Sequence, residues 1–341
     1  LRVYLERFTR SDEYFETITY TVKRSGSFGI ESKWVRLDKA FERTTEPGKE
    51  HLRNVLKDKN YITHPEHVWL TEENQVLVSM DYPSNPMMFK LFDSDGILLK
   101  NIKAGSELYD QTILYKQYLG NQRIGIIFEN RGYWIHLIDF SGNTEYETIP
   151  INTAKARCRP EGFLFRDEEL IILDQWNGGV VVFDIQSGSE TDRFDLITDG
   201  DQPTLYKASA MQALEDRLYL LDPYQRKVLV FELSSGSFIH SLPLPAITLD
   251  VCNPMALKVS SEREIFLLDS YSSQLYAWKE GIWSSLAEDN IWLNPISMDS
   301  RNGYLVVNDI GHERLQLYSR DKGTGELSHS ISYKHSSILR R

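Results

Sequence analysis

The chain has 341 residues, 41% of them apolar and 12% aromatic, and a formal net charge of −11. This charge disfavours a nucleic-acid partner, because binding to phosphate depends on Lys and Arg side chains. It also disfavours adhesion to an anionic membrane surface. No run of about 18 apolar residues occurs, so no transmembrane helix is predicted. With only two cysteines, a disulfide-rich scaffold is excluded.

The first 60 residues contain two strand-like runs, at 15–22 and 28–37, separated by a polar turn. A polar stretch follows, with a short helical pattern at 49–57. This segment lacks the pattern that repeats in the rest of the chain. We expect it to be either a β extension of the domain that follows or a degenerate copy of the repeat.

From residue 61 to residue 335 one pattern recurs. A short apolar run ends in an acidic residue, a polar turn follows, and a second apolar run leads to another turn. The acidic positions, 40 to 48 residues apart, are Asp81, Glu129, Asp174, Asp222, Asp269 and Asp309. Short strands repeated at this period are typical of β-propeller blades, which bury their faces only against one another. The sequence therefore predicts an all-β fold, a β-propeller of six four-stranded blades, or of seven if residues 1–60 form a degenerate blade.

The third copy shows how a repeat divides into strands a to d. Strand a starts at Pro160, strand b is LIILD and ends at Asp174, strand c is VVVFDI, and strand d is TDRFDL. Strand b is continuously apolar, which predicts cover on both faces. Strand d is more polar, as expected at an outer edge. We interpret the acidic residue after strand b as a turn former that accepts backbone hydrogen bonds.

One copy carries a family resemblance. The segment from Asn308 to Tyr318 (NDIGHERLQLY) resembles the core of an NHL repeat, and Asn294-Pro295-Ile296 resembles the Pro-containing start of that repeat. The resemblance implies an NHL-like six-bladed propeller, a scaffold that serves protein binding, RNA binding, lyase and lactonase activities. A segment of the first copy, FDSDGILLKNIKAGSELYD, resembles six-bladed bacterial surface lipoproteins.

The repeat aligns several polar residues at the start of strand a. Because strand a is innermost in a propeller, these residues should surround the mouth of the central channel, where convergent polar groups are typical of a ligand site. The predicted ligand-binding residues are His64, Glu66, Arg159, Glu161, Lys207, Asn253 and Asn294. The alternative is a solvated channel without a ligand.

A metal-dependent site is the alternative at the same mouth. Gluconolactonase-like propellers hold a metal with Glu, Asn and Asp side chains. Glu161 resembles the Glu of that set. Their Asn and Asp motifs have no match in this sequence. The resemblance implies one divalent cation, such as calcium, and a lactonase-like hydrolase or lyase. Otherwise no cofactor and no catalytic residue are predicted, since no nucleophile or metal-binding motif occurs.

Aromatic and Arg residues in the turns between strands b and c predict a partner surface, because such residues dominate binding hot spots. They are Trp176, Tyr224, Arg226 and Tyr271. The function that we predict is a non-enzymatic propeller that binds a protein partner or a small ligand on one face, as an accessory subunit of an assembly. Because the chain starts at Leu1, we expect a secreted, periplasmic or surface-anchored protein.

Overall fold

The computed structural model describes most of the chain from residue 62 onward and three strands before it. The described residues are 2–9, 14–22, 28–36, 62–63, 65–80, 88–108, 111–151, 159–166, 169–174, 177–196, 208–245, 254–260, 264–270, 272–279, 281–286, 292–312, 314–321 and 327–336. Among them, strands dominate, the helical segments are two short 3₁₀ turns, and none is long and apolar enough to span a membrane.

The N-terminal segment contains an antiparallel sheet of three strands, β1 (Arg2–Thr9), β2 (Tyr14–Val22) and β3 (Phe28–Arg36). The second and third strands agree with the two predicted strand-like runs. The helical pattern at 49–57 lies outside the described residues. The division of the chain at residue 60 stays a prediction.

Six four-stranded antiparallel sheets follow in chain order, after a short strand β4 (Ile62–Thr63). Blade one consists of β5 (Pro65–Leu70), β6 (Val76–Met80), β7 (Met88–Phe92) and β8 (Leu98–Lys103). Blade two consists of β9 (Thr112–Gly120), β10 (Arg123–Glu129), β11 (Tyr133–Asp139) and β12 (Glu145–Pro150). Blade three consists of β13 (Pro160–Arg166), β14 (Glu169–Asp174), β15 (Gly179–Asp184) and β16 (Ser189–Asp195).

The second half of the ring has the same organisation. Blade four consists of β17 (Ala210–Leu214), β18 (Arg217–Asp222), β19 (Lys227–Glu232) and β20 (Phe238–Pro243). Blade five consists of β21 (Pro254–Val259), β22 (Ile265–Asp269), β23 (Gln274–Lys279) and β24 (Ile282–Ser285). Blade six consists of β25 (Pro295–Arg301), β26 (Tyr304–Asp309), β27 (Arg314–Arg320) and β28 (Leu327–Ser336). The prediction of an all-β propeller with six four-stranded blades is confirmed.

The hydrophobic core lies between the blades. Six clusters of buried apolar side chains occur, and each joins two neighbouring blades. The cluster that closes the ring packs Val78 of blade one against Val306 of blade six and includes Ile62 of β4. β4 also adds to the outer edge of blade six as a fifth strand, parallel to β28. Side-by-side packing of flat sheets therefore holds the ring, with each blade covered on both faces.

Burial follows the predicted strand roles. Residues Val76–Met80 of β6 and Ile265–Asp269 of β22, both b strands, are buried throughout, whereas β16, a d strand, is mostly exposed or half-buried. Strand b is buried because it lies inside the sheet and is covered by a blade on each side. The continuous apolar runs of strand b in the sequence are therefore explained by its cover on both faces.

In four blades the acidic residue after strand b contacts the side chain three positions on, in the following turn, and for Asp222 the predicted backbone hydrogen bond of the turn is present. Asp174, Asp222, Asp269 and Asp309 are fully buried. Asp222 accepts hydrogen bonds from the backbone N–H and side chain of Gln225, at 2.9 and 3.0 Å. In blade two the corresponding Glu129 is exposed, and Asp81 lies outside the described residues.

Two of these carboxylates also fix the start of strand a. Asp174 accepts the Arg159 N–H at 3.1 Å, and Asp309 accepts the Leu293 N–H at 2.8 Å. In blades three, five and six the Pro at the start of strand a pairs with this Asp across the sheet. The starts of strand a and the turns between strands b and c therefore share one side of the ring, here called the top face. The turns between strands a and b, and between c and d, form the bottom face.

Candidate functional site

The innermost strands of all six blades enclose a central cavity of about 320 Å³, here called the top cavity. Each blade contributes three or four consecutive residues at its strand a, so the site belongs to the whole ring and not to one blade. The charged side chains of its wall are Lys116, Glu161, Lys258 and Asp299. A second cavity adjoins it toward the bottom face and shares Gln212 and Lys258 with it.

Glu161 lies at the wall between blades two and three. Its side chain is 11% exposed, and its Oε2 accepts a hydrogen bond of 3.0 Å from the Tyr115 hydroxyl. Burial, and then the negative charge of Glu161, raises the pKa of the Tyr115 hydroxyl, so the phenol stays protonated and donates. Arg159 Nε lies 3.9 Å from the other carboxylate oxygen, and its side chain is 57% exposed. Glu161 is thus held in place by Tyr115 and keeps acceptor capacity toward the cavity.

Lys116 and Glu66 join blades one and two at the same level. The ammonium group of Lys116, whose side chain is only 5% exposed, donates to Glu66 Oε2. His67 Nε2 lies 3.7 Å from the other Glu66 oxygen. Tyr115 and Lys116 are consecutive residues of β9, so their side chains point to opposite faces of the strand. β9 therefore contacts a carboxylate of each neighbouring blade.

Lys258 and Asp299 join blades five and six. Lys258 Nζ lies 2.7 Å from Asp299 Oδ1, and the side chains are 17% and 3% exposed. Asp299 also accepts the backbone N–H groups of Leu70, at 2.7 Å, and Ser300, at 2.9 Å. A buried carboxylate with a cation and two N–H donors is well satisfied. The lysine and carboxylate form a fixed polar pair at the boundary of the two cavities.

The remaining wall of the top cavity is mostly apolar. It includes Trp69, Phe163, Met211 and Met298, which are all buried. Ser297 is an exception, because its hydroxyl oxygen is buried and has no hydrogen-bond partner among the described residues. Apolar walls with a few placed polar groups are typical of small-molecule sites.

The predicted channel-mouth residues divide into three groups. Glu161 lines the top cavity, and Glu66 and Arg159 each contact a lining residue, Lys116 and Glu161 respectively, without being lining residues themselves. Asn294 has a left-handed backbone (φ 51°) and donates its N–H to Ser273 of blade five, and it is not among the cavity-lining residues. His64, Lys207 and Asn253 lie outside the described residues. Ligand binding by these residues stays a prediction.

Of the predicted partner surface, the structure describes the b–c turn of blade four, which carries Tyr224 and Arg226. Tyr224, on the b–c turn of blade four, is 84% exposed, more than the other large apolar side chains of the described residues. Arg226 in the same turn is exposed and has a φ of 57°. Trp176 and Tyr271 lie outside the described residues. This turn is on the top face, around the mouth of the cavity.

The lining residues that form the inter-blade contacts described above with Glu66 and Glu161, or with each other, were not among the predicted site residues; they are Tyr115, Lys116, Lys258 and Asp299. Three of them are charged residues within strand a, in LYKQYL, MALKVS and ISMDSR. A charge inside an innermost strand is costly to bury without a partner, so it is a signal of a lined channel.

A metal ion is not supported by the described part of the site. No three His, Cys, Asp or Glu side chains among the described residues are close enough to share an ion. Glu66 and Asp299 each contact a lysine instead. The divalent-cation alternative stays a prediction.

No protein-family model matches the sequence, and no curated protein is significantly similar to it. Among solved structures, that of a streptogramin B lyase is similar with a TM-score of 0.50 and 11% identity, over 81% of this chain and 84% of the lyase. A protein from Lactobacillus plantarum is similar with a TM-score of 0.50 and 11% identity, over 98% and 97% of the two chains. At this identity the likeness supports the propeller fold alone.

Proposed function

We propose that the chain is a binding protein that holds a small polar molecule in the top cavity. The observation that carries this proposal is Glu161, a mostly buried carboxylate on the wall, positioned by the Tyr115 hydroxyl. A positioned acceptor costs little conformational entropy on binding. The ligand contributes an amine or hydroxyl donor to Glu161, and its apolar part lies against Phe163 and Met211.

In this proposal the NHL-like segment of blade six stabilises the fold and does not bind the ligand. In its signature segment, Asp309 accepts hydrogen bonds from His312 and Arg314 at 2.8 and 3.1 Å, and Gln316 accepts one from Tyr318 at 2.8 Å. These side chains hold the turn and the core of the blade, and none of them is a lining residue of the two cavities. The resemblance therefore supports a fold and leaves the ligand to be found from the cavity.

A partner protein on the top face is the second candidate function. Tyr224, 84% exposed beside Arg226, supports it, because aromatic and Arg side chains are typical anchors. A partner bound there would lie near the cavity mouth. Pull-down from the native source with wild type and Tyr224→Ala would separate the candidates, since the variant should lose a partner protein but keep a small ligand.

The primary proposal is tested by thermal-shift measurements against monosaccharides, polyols and primary amines. A ligand of the top cavity should raise the melting temperature of wild type, and Glu161→Gln should abolish the shift. Glu169→Gln is the matched control, because Glu169 lies in the same blade with a side chain 43% exposed and pairs with Arg166. A ligand that binds Glu161→Gln as well as wild type would contradict the proposal.

A further inference from the structure

The second cavity, here called the bottom cavity, has a volume of about 370 Å³. The charged residues that line it differ from those of the top cavity. It lies between blades four, five and six, next to the a–b turns of blades five and six. Three of its lining side chains are cations, Lys258, Arg301 and Arg320, and one is a carboxylate, Glu264. Cationic lining residues therefore outnumber acidic ones three to one at this cavity, in a chain of net charge −11.

Each cation is held by a carboxylate. Arg320 forms a fork with both oxygens of Glu264, at 3.0 Å for the Nη2 bond, and its guanidinium lies 5.1 Å from the centre of the Phe266 ring. Arg301 Nη1 donates to Glu72 at 2.8 Å, and Lys258 pairs with Asp299.

Two of these three carboxylates are not part of the bottom wall. Glu72 belongs to the a–b turn of blade one, and Asp299 lines the top cavity. They pair with Arg301 and Lys258 from outside the set of residues that line the bottom cavity, whereas Arg301 and Lys258 are themselves lining residues. Cations already fixed in this way lose little side-chain entropy when an anion binds.

We propose that the bottom cavity is a second site, which binds a small polyanion carrying phosphate or carboxylate groups. The planar guanidinium groups of Arg301 and Arg320 match the geometry of both anions, and Lys258 supplies a point charge at the far end of the cavity. The volume falls in the usual range of small-molecule sites. The two cavities share Gln212 and Lys258, but this proposal does not rest on the ligand proposed for the top cavity.

The experiment is isothermal titration of the full chain with citrate and, separately, with pyrophosphate. Wild type should bind at least one of them, more weakly at high salt. Arg301→Gln should weaken binding by about tenfold or more, the effect of losing a hydrogen bond to a charged group. Comparison of the two probes decides between carboxylate and phosphate as the preferred group.

Three further variants make the result specific. Arg166→Gln is the matched control, because Arg166 is the last residue of β13 as Arg301 is of β25, and their side chains are 36% and 31% exposed. It should bind as wild type does. Gln212→Glu adds a carboxylate without breaking a described ion pair and should weaken binding. Gln117→Glu adds the same charge to the top cavity only and should leave binding unchanged.

The proposal is overturned if wild type binds neither probe at millimolar concentration. It is also overturned if Arg301→Gln and Gln212→Glu bind as wild type does, or if Gln117→Glu weakens binding as much as Gln212→Glu. The last result would place the anion in the top cavity. If Arg301→Gln fails to fold, Gln212→Glu and Gln117→Glu still decide between the two cavities.

Discussion

Asp299 Oδ2 accepts the backbone N–H of Leu70 at 2.7 Å, although 229 residues separate the two in sequence. Leu70 ends strand a of the first blade, and Asp299 lies in strand a of the last, so this bond crosses the point where the ring closes. The same carboxylate binds Lys258 of blade five. One side chain therefore connects three consecutive blades at the channel wall.

Replacement of Asp299 with Ala should destabilise the ring strongly. The change leaves Lys258 with a buried charge and Leu70 with an unpaired N–H, and breaking a buried ion pair costs about 3–5 kcal/mol. The double variant Lys258→Met/Asp299→Leu should cost less, because no unpaired charge remains. Urea unfolding followed by tryptophan fluorescence measures both. Equal stability of wild type and Asp299→Ala would show that closure does not depend on this carboxylate.

Replacement of Asp222 with Ala should lower the free energy of unfolding by about 1–3 kcal/mol, because the two Gln225 donors lose their buried acceptor. Binding of a top-cavity ligand below the melting temperature should not change. Asp216→Ala is the control from the other end of β18, where the side chain is 51% exposed, and it should have a smaller effect. Loss of ligand binding at unchanged stability would identify Asp222 as part of a site.

The sequence predicts the repeat better than the site, for a physical reason. Strand b and its acidic turn are local features, so the apolar runs appear directly in the sequence of each blade, and the Pro–Asp pairing in that of blades three, five and six. The contact of Tyr115 with Glu161 joins two blades and depends on how each strand a faces its neighbour. In β9, irregular pairing with β10 shifts that register and lengthens the strand. Counting along the chain cannot supply this information.

Removal of residues 1–60 should preserve the ring, because its blades begin after β4. Removal of residues 1–63 should lower the melting temperature by several degrees, since Ile62 is fully buried in the closing cluster and β4 pairs with β28. Thermal unfolding of the two shortened chains beside the full chain makes the comparison. If the chain that lacks residues 1–60 no longer unfolds cooperatively, those residues belong to the same folding unit as the ring.

The sign of the ligand charge in the top cavity should follow from Arg159 and Glu161. If the ligand donates an amine to Glu161, Arg159→Ala should leave its affinity unchanged or improve it, because a nearby cation is removed. An anionic ligand would instead lose about 1.5–3 kcal/mol with Arg159→Ala. Calorimetric titration with the ligand found by thermal shift distinguishes the cases. If neither Arg159→Ala nor Glu161→Ala alters binding, the top cavity is only a solvated channel.

The stability of the protein should decrease in acid partly through Glu264. Burial alone raises the pKa of this carboxyl, but the hydrogen bond and charge of Arg320, with the charge of Lys279, outweigh burial and lower it below 4.5. The unfolded chain therefore binds a proton at higher pH than the folded chain does. The stabilising contribution is present above pH 4.5 and is lost as the pH falls through the folded pKa. Glu264→Gln should be less stable at neutral pH and lose less stability below pH 4.5 than wild type. Arg320→Gln removes the cation that lowers the pKa of Glu264, so the stability of this variant should also fall less steeply with pH in the acid range. Urea unfolding between neutral and acid pH checks this, and an acid slope unchanged in both variants would contradict it.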